Sequence, residues 1–188
     1  SGTLRIVTNL AVHWTDVFLT PDAGEPPHRK HTAKLDSAHL RFRGFSPVTI
    51  DPQRRQPEKF HYEPALPASL WNPTPGLYTR YGEVGELADT IDDRLVVMGS
   101  GDELILRFDA NLPSVQNGQQ RDFLLKVDGW AKDRDPNIAF SQTVEPLPHH
   151  RMATYPYPAT EPHPGGDWIR LYNTRPALRL VRPLVSQR

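Results

Sequence analysis

A chain of 188 residues is long enough to enclose a sizeable core within one domain. Its 22 basic and 22 acidic residues cancel, so no net field calls for nucleic acid or an anionic membrane. No apolar run approaches the roughly 20 residues of a spanning helix, and the lack of cysteine excludes disulfides, iron–sulfur clusters and thiol chemistry. Twenty prolines are about twice the ordinary share of roughly 5%. Proline interrupts helices and central strands alike, so the composition predicts an all-β class with long irregular connections and at most short helices.

The chain opens at Ser1-Gly2 without Met, as expected of a processed or trimmed protein. Leu4, Ile6, Leu10, Val12, Trp14 and Phe18 fall on even positions, the period of one long strand or of two strands kinked near Asn9. His13 has the opposite parity and reads as a partly exposed strand histidine. Residues 21–35 form a polar loop in which His28 and His31 make an H-x-x-H pair. Without further ligands at helical spacing, a solvated basic loop is the preferred reading over a metal site. Ala38, Leu40 and Phe42 then alternate with His39, Arg41 and Arg43, which predicts an edge strand with a cationic wet face. Residues 47–76 carry prolines every few positions together with Phe60, Tyr62 and Trp71. A disordered linker would be poor in aromatics, so an ordered excursion pinned by those rings is expected.

A short helix is expected at 84–89, followed by the most regular part of the chain, residues 94–137. Two strands meeting at Gly99-Ser100-Gly101 place Leu104, Leu106 and Phe108 on one face of the second. A third strand is expected over 121–130, with Phe123, Leu125 and Val127 facing the core. Residues 138–144 suit a further strand, and Asp167 is placed to cap a short helix that Pro176 limits. The last ten residues alternate again, as a final edge strand or an extension toward a neighbour.

Asp133, Asp135 and Asn137 form a D-x-D-x-N array of hard oxygen ligands, the type with which short loops hold Ca²⁺. The glycine expected of such a loop is missing and Glu145 falls one place late, so an Asx-rich turn is preferred. A second cluster holds Glu145, His149, His150, Tyr155 and Tyr157. Adjacent histidines on an extended chain point in opposite directions and are poorly placed to chelate one ion. None of the nucleophile-elbow, zincin, phosphate-loop or dinucleotide motifs is present, which leaves a hydrolase as the third-ranked reading. Trp71, Tyr155 and Tyr157 are the residues from which a sugar-stacking platform would be built, against the alternative that the rings pack the loops down.

Two stretches carry a resemblance. LRIVTNLAVHWTDVFL, together with the run from YTRYGEVGEL through DDRLVVMGSGDELILRFDA to RDFLLKVDGWAKDRDPNIAFSQTVEPLPHHRMATYPYP, resembles the C-terminal region of large bacterial FG-GAP/ASPIC-UnbV proteins, which are similar to cartilage acidic protein. The resemblance is strongest over 78–158 and departs from the family pattern at His13, Thr15 and His149-His150-Arg151. It implies an extracytoplasmic (periplasmic or secreted), non-catalytic β-rich module associated with a propeller or repeat scaffold. The chain would then be either a fragment or a standalone subunit. It carries over no active residues.

The expectation is therefore a single antiparallel β-sandwich over 1–188, jelly-roll-like, with Pro-rich excursions at about 47–76 and 147–164 and a C-terminal tail. The expected role is an interaction module or accessory subunit, with other protein subunits as partners and no transmembrane segment of its own. Trp71, Tyr155, Tyr157 and Arg182 are its candidate contacts. A carbohydrate-binding module is the alternative, and Ca²⁺ is the one cofactor the sequence brings forward.

Overall fold

The alternation of Ala38 and Leu40 with His39 and Arg41 becomes strand β1, Leu35–Phe42, whose inward side chains are fully buried. In the computed structural model the described residues are Arg5, Val7, Phe18, Gly24, 28–68, 73–132, 134–138 and 140–177. They form an all-β chain of short antiparallel strands with one short α-helix. The expected strand over residues 4–18, with His13, lies outside them apart from Arg5, Val7 and Phe18, as do Trp71, Asp133 and the 179–188 tail. No helix among them is long and apolar enough to cross a membrane.

The chain divides into two compact units. One takes Ser46–Pro64 with the first thirty residues. In its described part, β2 (Val48–Thr49) pairs antiparallel with β3 (Lys59–Phe60), and His61 N–H donates to the Pro47 carbonyl at 2.9 Å. The turn between them is held by Asp51, whose carboxylate accepts from the Gln53 and Arg55 amides and whose carbonyl accepts from Arg54 N–H. Such Asx turns are what a short acidic side chain offers a reversing backbone. Phe60 and Tyr62 keep most of their surface exposed, so the expected pinning by these rings gives way to backbone pairing and the Asp51 turn.

The other unit comprises His31–Phe45 and the chain from Ala65 onward. Its sheet has the order β5-β1-β6, with β5 at Gly82–Glu83 and β6 at Asp102–Phe108. Leu40 lies opposite Leu104 and Ala38 opposite Leu106, so the predicted phase of β6 holds and both leucines pack on the core. That core joins Ala38, Leu40, Val84, Leu87 and Tyr172. The expected helix at 84–89 is a single 3-10 turn, Gly85–Leu87, which delivers Leu87 inward. Helix α1, Gly166–Tyr172, starts one residue before its predicted cap. Gly165 is the N-cap, and Asp167 lies in the first turn and pairs with Arg170.

A second core of Tyr78, Val144 and Leu147 forms beside it, and Trp168 packs against both. Here β4 (Leu77–Tyr78) pairs with β7 (Arg175–Pro176). Thr79 binds this region together: its amide donates to the Val97 carbonyl, and its hydroxyl accepts from Val97 N–H while donating to buried Asn173. The stretch 94–98 therefore does not become the first of the expected strands, because Thr79 holds only its middle. Gly101 turns the chain into β6 with φ near +88°, and a Cβ there would strike the rings of Phe42 and Phe45. Both reasons demand glycine.

Two further expectations fail in this unit. Residues 138 and 140–144 form successive turns, with Ile138 N–H donating to the Asp135 carbonyl and Ser141 N–H to that of Ile138. Residues 121–130 form no strand and pair with none among the described residues: Phe123 is 81% exposed, Leu125 60% and Val127 73%. The alternation of that segment is real, yet a strand needs a neighbour for its N–H and C=O groups, and none is supplied here.

Candidate functional site

Residues 147–168 return across the second core as an arm, and the polar residues of the sequence converge on its first half. Leu147-Pro148-His149-His150 lead into a turn in which Met152 N–H donates to the His149 carbonyl at 3.2 Å, and the two histidines take opposite environments. His149 is 5% exposed, while His150 faces solvent.

His150 is held between two carboxylates. Its amide donates to Asp93 Oδ1 at 2.7 Å, its Nδ1 lies 2.9 Å from the same oxygen, and its Nε2 lies 2.9 Å from Asp128 Oδ2. Carboxylates only accept, so both contacts are hydrogen bonds only when the ring carries two protons. The bond to Asp128, then that to Asp93, raise the His150 pKa above the ordinary histidine value. Reciprocally, the His150 amide is the main cause holding Asp93 below the usual carboxylate range.

On the inner side an aromatic column runs Tyr157–His149–His163–Trp168, with centroid separations of 4.8, 5.4 and 5.9 Å and edge-on geometry throughout. His163 Nδ1 accepts from Gly165 N–H at 3.0 Å, which puts its proton on Nε2, 3.2 Å from the Pro148 carbonyl. Burial pushes its pKa down, favouring this neutral form. Neither ring nitrogen of His149 has a partner, nor does Trp168 Nε1.

The two tyrosines are spent on the arm itself. Tyr155 Oη donates to the Pro146 carbonyl at 2.8 Å and Tyr157 Oη to that of Leu147 at 2.9 Å. Burial pushes the Tyr155 hydroxyl up to about 12. Trp130 tilts against the Tyr155 ring at 5.0 Å, and Lys132 Nζ stands 5.2 Å from its centroid. Lys132 also donates to the carbonyls of Thr143 and Val144 at 3.0 and 2.8 Å, and burial lowers its pKa. Each ring thus packs against another side chain, the geometry of an arm fastened down.

At the proposed calcium loop, Asp135 Oδ1 accepts from both the amide and the side-chain nitrogen of Asn137, each at 2.8 Å, closing an Asx turn. Asp133 lies outside the described residues, as do Trp71 and Arg182. Among the described residues no three of His, Cys, Asp and Glu gather in a way that would hold a metal ion. Sequence reasoning brought forward His149, His150, Tyr155 and Tyr157 but missed Asp93, Lys132, His163 and Trp168. Their involvement depends on long-range packing, and no local spacing signals it.

No family model matches this chain, and neither the curated proteins nor the solved structures contain a match to it.

The two titrating histidines give the arm an optimum pH. The His150 contribution is complete below the ordinary histidine value of 6.5 and is lost as pH rises through its elevated folded value. His163 is neutral in the fold, so its contribution is complete above 6.5 and is lost as pH falls through its depressed folded value. The arm is therefore expected to be held best near 6.5, with amide protection over 147–163, relative to the unstructured chain at the same pH, falling on both sides. NMR titration should place His150 above and His163 below that value. Coincident titrations would contradict the bonding pattern.

Proposed function

We propose that this chain is a non-catalytic interaction module, or accessory subunit, of an extracytoplasmic protein assembly, related to the C-terminal region of FG-GAP/ASPIC-UnbV proteins. One observation carries the reading: Phe123, Leu124, Leu125, Val127 and Trp130 expose at least half their surface in one stretch, beside an arm whose tyrosine hydroxyls are already hydrogen-bonded. Contiguous exposed apolar surface on a folded unit marks a place where another surface packs. The tyrosine hydroxyls, Lys132 and His150 all serve to set the arm, so it meets a partner already ordered and loses little entropy on binding. Within this reading the sheet β5-β1-β6 is one layer of a jelly-roll-like sandwich, supported by its one-sided burial: Ala38 and Leu40 inside, His39 and Arg41 outside. Extracytoplasmic placement is supported by the resemblance over 78–158, and cell fractionation tests it.

The interaction reading is tested by hydrogen exchange. Amides 122–131 should exchange rapidly in dilute isolated protein and be protected in material recovered as its native assembly. Rapid exchange in both, with Trp130 fluorescence unchanged by assembly, would defeat it.

A further inference from the structure

The far edge of β6 and the unpaired residues 121–127 lie in the same unit. No strand pairs with the far side of β6 among the described residues, and residues 121–127 run without helix, turn or bend and with no backbone ladder of their own. An open edge with an apolar centre, and a free segment of the right period, are each a template for pairing.

We propose that residues 121–127 of one copy add antiparallel to β6 of a second copy, and reciprocally, giving a two-fold dimer by strand exchange. The inference rests on the interaction-module reading and names the partner of the exposed stretch. The register that aligns Arg107 with Asp122 also aligns Glu103 with Lys126, so opposite charges meet at both ends of the outer face. Between them Ile105 meets Leu124. On the inner face Leu106 meets Phe123 and Leu104 meets Leu125. Those two β6 leucines already lie on the core-facing side, opposite Ala38 and Leu40, so the added strand would extend the first core. Shifting the register by two residues in one direction sets Glu103 against Asp128, and in the other sets Ile105 against Asp122. A one-residue slip turns Phe123 to the outer face. Parallel pairing that opposes Asp122 to Glu103 would also oppose Lys126 to Arg107. One antiparallel register alone satisfies both faces.

The occupant is a second copy because, within one copy, the segment is held off β6. Asp128 is bound to His150, Trp130 rests on Tyr155, and Arg121 donates to the Pro113 carbonyl. These anchors leave 121–127 presented outward, with Phe123 at 81% and Leu124 at 96% exposure. Two-fold symmetry makes each contact twice, which is the commonest closed arrangement of identical chains.

Sedimentation of the full chain at about 100 µM, where a small reciprocal interface is populated, should show a dimer. Asp122→Arg and Arg107→Asp, both at exposed positions that leave the circular dichroism spectrum intact, should each weaken association at least roughly tenfold by opposing like charges twice. Mixing the two variants restores an Arg–Asp pair at both sites and should restore the dimer, as should the double variant. Phe123→Asp should abolish it. A monomeric wild type, single variants that dimerise undiminished, or a mixture that stays monomeric would each overturn the exchange. A monomer whose amides 122–131 are protected only in the native assembly would overturn the exchange and leave the interaction module standing.

Discussion

Replacing Asp102 with alanine is expected to destabilise the larger unit by about 3–5 kcal/mol, the range for breaking a buried ion pair from one side. The Asp102 side chain is 2% exposed and its Oδ2 lies 2.5 Å from Arg175 Nη2. The same carboxylate accepts from Gly99 N–H and from Tyr81 Oη, each at 2.8 Å, so it closes the turn into β6 as well as neutralising the arginine. Burial, reinforced by that bond, pushes the Tyr81 hydroxyl up to about 12. Arg175 is 17% exposed, stands 4.1 Å from the Tyr81 ring centroid and donates to the Thr79 carbonyl. Removing the carboxylate would leave that charge uncompensated beside β4 and β7. Asp102→Asn keeps one acceptor and should lose less. Urea unfolding measures both, and equal, sub-kilocalorie losses would show that the cluster is merely a surface contact.

Leu40→Ala should cost about 2–5 kcal/mol, because its side chain is completely enclosed and the surrounding elements are tied by pairing that limits collapse. Leu40 is fixed on both sides, opposite Gly82 of β5 and Leu104 of β6, and its cluster also includes Val84, Leu87 and Tyr172. Leu125→Ala, at a residue 60% exposed, should change the stability of the dilute monomer within about 0.5 kcal/mol. Denaturant unfolding of the two variants thus tests directly which of the two alternating segments is core. A large loss at Leu125 would restore the strand that its sequence first suggested.

That contrast shows where sequence reading ends. β1 and β6 were legible as strands because their alternation coincides with charged outer faces, but the edge position expected of β1 fails, since β5 and β6 pair with it on both sides. Residues 121–130 have the same period and the same kind of boundaries, yet they find no strand to pair with among the described residues. Period 2 states that a segment is suited to one buried face; it does not state what buries it. The turn at Asp135–Asn137 was similarly legible as an Asx turn, since the hydrogen bonds concerned span two residues.

By itself, the sequence determined the all-β class, the lack of thiol chemistry and the phase of β1 and β6. Each depends on composition or on neighbours a few residues apart. Only the tertiary structure decided that Asp93 and Asp128 converge on His150, that Tyr155 and Tyr157 bond the carbonyls of Pro146 and Leu147, and that Asp102 meets Arg175. Several of these contacts join residues dozens of positions apart, and their partners are chosen by how the cores close. A carboxylate looks the same in sequence whether it ends in water, against an imidazole or beneath a guanidinium. Burial and distance, which arise only when the chain is folded, make the difference.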